Sequence, residues 1–133
     1  WTTYLSEIID PNQENCLIGH SLGVLRILTY LAETNGAPVS VLLVSGFNQE
    51  LSAFPELNQI VPQELNEMGI RARIAQGVMV TAQDDPIVSW QISFDLATAL
   101  QIDCLVRPTG GHFLGRRAPI LGEVLAGMQQ WRT

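Results

Sequence analysis

Leu17-Ile18-Gly19-His20-Ser21-Leu22-Gly23 is an apolar run that ends in Gly-x-Ser-x-Gly and passes directly into a helical pattern. This is the sequence form of a strand that turns sharply into a helix around an exposed serine. Ser21 is therefore a candidate nucleophile. Such a reversal crowds the backbone, and residues without a Cβ leave room on either side of the serine, so larger residues at 19 or 23 are expected to clash. Three fixed residues at roughly 7% frequency each would occur by chance in about 4% of chains this long, so the flanking sequence has to decide.

Upstream, the polar turn Pro11-Asn12-Gln13-Glu14 precedes Asn15-Cys16-Leu17-Ile18, as expected for a strand buried on both faces of a parallel sheet. Downstream, Leu22, Leu25, Ile27, Leu28 and Leu31 recur near helical spacing until Asn35-Gly36 ends the pattern. Ser21 then stands at a helix N-terminus. Backbone N–H groups are unpaired there and carry the positive end of the helix dipole. The Leu22 N–H is accordingly the first candidate donor to an oxyanion at Ser21.

A serine hydroxyl needs a base, and the chain holds two histidines. His20 adjoins the nucleophile and is expected to point away from its Oγ as the chain turns, which gives it a structural role. His112 follows the apolar stretch Ile102-Asp103-Cys104-Leu105-Val106 within Thr109-Gly110-Gly111-His112-Phe113. Loops at the carboxyl ends of parallel strands are where open α/β sheets carry functional groups. The bland alternative is an exposed loop histidine beside flexible glycines. A third group should orient the imidazole, and Asp84 and Asp85 end another strand-like run, Val78-Met79-Val80-Thr81-Ala82. Asp85 is the choice, because Pro86 fixes the turn after it. Asp84 is then a neighbouring solvated carboxylate. The competing reading is that both acids cap the helix expected over 89–100 or decorate a turn. The chain order Ser, Asp, His argues against it, being the order found in α/β-hydrolases.

Gly19-His20-Ser21-Leu22-Gly23, Leu42-Leu43-Val44-Ser45-Gly46-Phe47, Asp84-Asp85-Pro86-Ile87-Val88 and Gly110-Gly111-His112-Phe113-Leu114 together span nearly the whole chain. In these motifs the chain resembles the small serine hydrolase family of retinoblastoma-binding protein nine and the bacterial YdeN-type proteins. The resemblance implies an α/β-hydrolase fold, a triad carried here by Ser21, Asp85 and His112, hydrolysis of small esters, and neither a metal nor an organic cofactor. One departure stands out. Family members begin with a strand, a His-Gly-type loop that supplies the second oxyanion donor, a further strand and a proline-rich stretch. None of these is present, and Trp1 to Ile9 resembles the helix just before the elbow strand, so the expectation is that an N-terminal segment is missing from this sequence.

The coarse pattern is helix 1–9, strand 15–20, helix 22–34, strand 39–45, an irregular middle, strand 77–82, helix 89–100, strand 102–107 and helix 118–131. Alternating strands and helices predict a three-layer α/β/α sandwich around a mostly parallel sheet. With 133 residues, 47% of them apolar, the chain fits a single domain with a sizeable core. In the middle, Phe47, Leu51, Phe54, Leu57, Ile60, Val61 and Leu65 are interrupted by Pro55 and Pro62. This stretch is either the wall of a pocket for an uncharged acyl or aryl group or an ordinary core-covering loop.

A net charge of −6 without Lys/Arg clusters argues against nucleic acid and anionic membrane surfaces as partners. No apolar run approaches the roughly 20 residues that span a bilayer. Cys16 and Cys104 are expected in buried strands as small hydrophobes, and two cysteines without framework spacing fit a reducing cytoplasm. The functional expectation is a cytoplasmic carboxylesterase acting on a small-molecule ester. A thioesterase or amidase with the same triad, or a non-catalytic binding protein on the same scaffold, is the alternative. Acyl-carrier-protein acyltransferases share the Gly-His-Ser-Leu-Gly elbow, but they follow it with a glutamate and use a downstream arginine. Here Val24 follows, and no arginine lies between Arg26 and Arg71.

Overall fold

The run Val39–Val44 places every residue out of water, which requires a strand flanked on both edges and covered on both faces. The computed structural model describes residues 15–62, 64–114 and 119–131. In it this run is β2 of a four-stranded sheet, between β1 (Cys16–His20) and β3 (Ile74–Ala82), with β4 (Asp103–Arg107) beyond β3. All three pairings are parallel. Parallel neighbours need crossovers, and these are α1 (Leu22–Glu33), the stretch containing α2 (Glu67–Arg73), and α3 (Trp90–Leu100), with α4 (Pro119–Trp131) following β4.

Alternation along β2 assigns the layers. Val39, Val41 and Leu43 face a cluster built with Val24, Ile27, Leu28 and Leu31 of α1, Ile70 of α2 and Leu96, Ala97 and Leu100 of α3. Leu42 and Val44 face the opposite side, with Val78, Val80 and Met128 of α4, flanked by Leu121, Val124 and Leu125. The result is the expected α/β/α layering of a parallel sheet. Each fully buried aliphatic side chain contributes about 1.5–3 kcal/mol relative to an exposed one, so β2, buried on both faces, anchors the sheet.

Some expectations need correcting. Cys16 is exposed, as are Ile18 and His20. Among the described residues β1 is an edge strand, and only its Leu17 side packs on the α1 cluster. The irregular middle contains a 3₁₀-helix, Pro55–Ile60, and the helix α2. A signal for α2 existed: Asn66 caps it, its Oδ1 accepting the Gly69 N–H at 3.1 Å, with Glu67 in the first turn. Gly69 lies under that cap, where a Cβ would stand 2.5 Å from the Asn66 amide nitrogen. β3 begins at Ile74, directly after α2, three residues before the predicted start. Arg73 explains the tight junction, since its Nη1 donates to the Thr34 carbonyl at 2.7 Å and binds the two helix ends together. β2 stops at Val44 because Ser45 turns into the left-handed region, φ 50°. The helix expected over 1–9 lies outside the described residues.

Candidate active site

Parallel strands place all their carboxyl ends at one edge, and Ser21, Asp85 and His112 follow the ends of β1, β3 and β4. Backbone bonds carry the strands' alignment past their last residues. Ser21 N–H donates to the Val44 carbonyl at 2.8 Å, Ser45 N–H to Val80 at 2.9 Å, and Gln83 N–H to Arg107 at 2.8 Å. Each loop therefore starts from a position fixed by its neighbour.

Ser21 has φ 55° and ψ −115°, a conformation that costs an L-residue about 1–3 kcal/mol and persists only where the surroundings enforce it. It holds the N-cap position of α1, where serine ordinarily turns its Oγ to the helix. Here there is no such cap; the hydroxyl lies 2.8 Å from His112 Nε2. Leu22 opens the helix, and its N–H has no partner within the helix. The two elbow glycines differ. A Cβ on Gly19 would stand 2.7 Å from Ile27 Cδ1 and 3.1 Å from the Gly23 backbone, whereas a Cβ on Gly23 meets nothing within 4 Å. The expected clash at 23 is thus absent, because that Cβ points out of the elbow while the one at 19 points into it.

Asp85 has its side chain fully out of water. Its Oδ1 accepts the N–H groups of Ile87 at 2.8 Å and Val88 at 2.9 Å, and its Oδ2 lies 2.9 Å from His112 Nδ1. Three donors satisfy a carboxylate that burial alone would heavily disfavour. A carboxylate only accepts, so the His112 proton sits on Nδ1. Nε2 then presents a lone pair to the Ser21 hydroxyl. The structure brings Ser21, His112 and Asp85 into one hydrogen-bonded chain.

Asp84, the other acid, reaches a different target: its Oδ1 accepts the Gly111 N–H at 2.7 Å. The partner of His20 is the His112 backbone: its Nε2 lies 2.6 Å from the His112 carbonyl oxygen. Neither contact was readable from sequence, since they join positions 27 and 92 residues apart.

Phe47 and Leu51 are buried with Leu25 and Val88, and Leu22, Leu57, Val61, Ile87 and Ile92 pack around them. Phe47, Leu51, Leu57 and Val61 of the middle segment therefore pack beside the neighbours of Ser21 and Asp85, whereas Ile60 is exposed and Leu65 packs against the cluster that faces α1. A cleft of about 490 Å³ in this segment is lined mostly by polar residues, among them Asn48, Glu50, Asn58 and Gln59. Among the described residues no three His, Cys, Asp or Glu side chains are grouped to hold a metal ion, and no helix is long and apolar enough to cross a membrane.

A family model described as serine hydrolase matches residues 1–118. The YdeN protein of Bacillus subtilis strain 168 is 30% identical over 133 aligned positions, covering 94% of this chain and 70% of that protein. The crystal structure of the B. subtilis ydeN product superposes with a TM-score of 0.84 at 27% identity, over 94% of this chain and 69% of that one. The esterase domain of a Rhodothermus marinus protein matches with a TM-score of 0.63 at 18% identity, over 98% of this chain and 63% of that one, a likeness of fold.

Proposed function

The chain belongs to the serine hydrolase family, and from that premise we propose that it cleaves small carboxylic esters through an acyl-serine intermediate, with Ser21 as nucleophile, His112 as general base and acid, and Asp85 as the group that orients His112. The observation that carries this reading is the pair of contacts His112 Nε2 to Ser21 Oγ at 2.8 Å and His112 Nδ1 to Asp85 Oδ2 at 2.9 Å. In the first half-reaction Ser21 Oγ attacks the acyl carbon as its proton passes to His112 Nε2. The negative charge that develops on the acyl oxygen is met by the Leu22 N–H and the positive end of α1. Collapse of the tetrahedral species expels the alkoxide, which takes the proton from His112. Water then repeats the cycle on the acyl-serine. Asp85 remains ionised, fixes the Nδ1–H tautomer and stabilises the transient imidazolium. A cytoplasmic location goes with this reading, and two cysteines without the spacing of a disulfide framework support it.

Intact-protein mass spectrometry after exposure to a fluorophosphonate, beside a panel of short-chain esters, tests the proposal. The expected result is one adduct and measurable ester turnover, both lost in Ser21→Ala. An unlabelled wild-type protein, or turnover that survives Ser21→Ala, refutes it.

A further inference from the structure

The geometry points to two more residues in this site: we propose that His20 and Asp84 are positioning residues that clamp the backbone around His112 and so set its distance to Ser21 and Asp85. The inference rests on the catalytic reading given above. Gly110, Gly111 and Phe113 have φ of 138°, 58° and 56°. Positive φ on both sides of His112 excludes a helical or strand ladder there, and the turn is closed by Phe113 N–H donating to the Gly110 carbonyl at 3.1 Å. A stretch rich in glycine and lacking a ladder has many accessible conformations, so something outside it has to select one.

Two side chains do. Asp84 Oδ1 accepts the Gly111 N–H at 2.7 Å, and the His112 carbonyl accepts from His20 Nε2 at 2.6 Å. A carbonyl has no proton to give, so the His20 proton is on Nε2. The two bonds grip the chain on either side of the residue that bears the imidazole. The origin of the anchors matters as much. His20 immediately precedes Ser21, and Asp84 immediately precedes Asp85. Each segment that supplies a partner to the His112 ring also holds the His112 backbone, so any shift of the elbow or of the acid loop carries the histidine with it. This keeps both imidazole contacts in register, as general-base catalysis requires. The His20 and His112 rings also lie 4.8 Å apart between centroids, so the hydrogen bond has to be separated from the ring contact by experiment.

The test compares the wild type with His20→Ala, His20→Asn, His20→Gln, Asp84→Ala and Asp84→Asn. It reads the rate of fluorophosphonate labelling at Ser21 and the low-field proton resonance of His112 Nδ1–H. The glutamine amide nitrogen reaches where Nε2 stands, the asparagine one does not, and Asp84→Asn keeps an acceptor oxygen while removing the charge. His20→Ala, His20→Asn and Asp84→Ala should label about tenfold more slowly, and His20→Gln and Asp84→Asn should stay within about threefold of wild type. The Nδ1–H resonance should broaden in the first group and stay sharp in the second. If His20→Ala does not fold, the Asn and Gln variants decide the His20 arm. The clamp is overturned if the first group keeps wild-type rates and resonances, or if His20→Gln behaves like His20→Asn, which would assign the effect to the ring. Failure of the wild type to label overturns the catalytic reading instead, and the resonance still judges the clamp.

Discussion

The loops that carry Asp85 and His112 leave adjacent strands, β3 and β4, yet they are held in opposite ways. The acid loop is closed on itself: Asp85 N–H donates to the Ala82 carbonyl at 3.2 Å, and Asp85 Oδ1 accepts from Ile87 and Val88, two and three residues on. Pro86 fixes φ between them. Among the described residues the histidine loop has one internal backbone bond across its turn, and it takes hydrogen bonds from outside itself, from Asp84, Asp85, His20 and Ser21. A loop made by local bonds has a local signature, whereas a loop held from outside is only as well placed as its neighbours.

The most severe way to break the comparison is to remove the residue that depends on all the others. His112→Ala should lower ester turnover on the order of 10⁶-fold, close to the effect of Ser21→Ala, because members of such a unit fail together. Steady-state kinetics on one ester checks both.

Asp85→Asn separates the two loops. The asparagine Oδ1 can still accept from Ile87 and Val88, so the acid loop should keep its shape and the melting temperature should change little. Its amide donor would face His112 Nδ1 and favour the wrong tautomer, which should lower kcat about 10⁴-fold. Asp84→Asn should matter far less. If Asp84→Asn proves the more damaging, Asp84 and not Asp85 orients His112.

A smaller effect, on stability, asks whether the elbow is fixed by its neighbours. Gly19→Ala drives a Cβ to 2.7 Å from Ile27 and should cost about 1–3 kcal/mol, as overpacking does. Gly23→Ala enters open space inside α1 and should be neutral or stabilising by up to about 1 kcal/mol. Chemical denaturation ranks them, and equal losses would contradict the asymmetry of the elbow.

The smallest expected difference concerns the thiols. Burial pushes the Cys104 thiol up, so less of it is thiolate at neutral pH. Cys16 is exposed. Maleimide should modify Cys16 first, and Cys104 should react appreciably only at higher pH. Equal rates near neutrality would place Cys104 outside the packed sheet.

Much of this was legible in the sequence because it depends on short-range physics. The apolar run of β2 needs no partner to be read as a buried strand, the elbow around Ser21 announces itself in five residues, and Asp85-Pro86-Ile87-Val88 contains every donor that its own Oδ1 uses. The helix α2 left only a capping signal in Asn66 and Glu67 and fell within the irregular middle, because at seven residues containing Gly69 its periodicity was too short to register. Cys16 was misplaced for a different reason. Its strand reads as buried on both faces, while exposure depends on which strands and helices lie beside it.

The sequence by itself determined the order of the strands and of the longer helices, the identity of the candidate nucleophile and, through Pro86, a turn directly after Asp85. Tertiary structure decided which acid meets the imidazole, that only one elbow glycine is sterically fixed, and what holds the His112 backbone. Periodicity, turn chemistry and capping act over a few residues, where composition encodes them directly. A contact such as His20 to the His112 carbonyl exists only after the parallel sheet has brought positions 92 residues apart to the same edge.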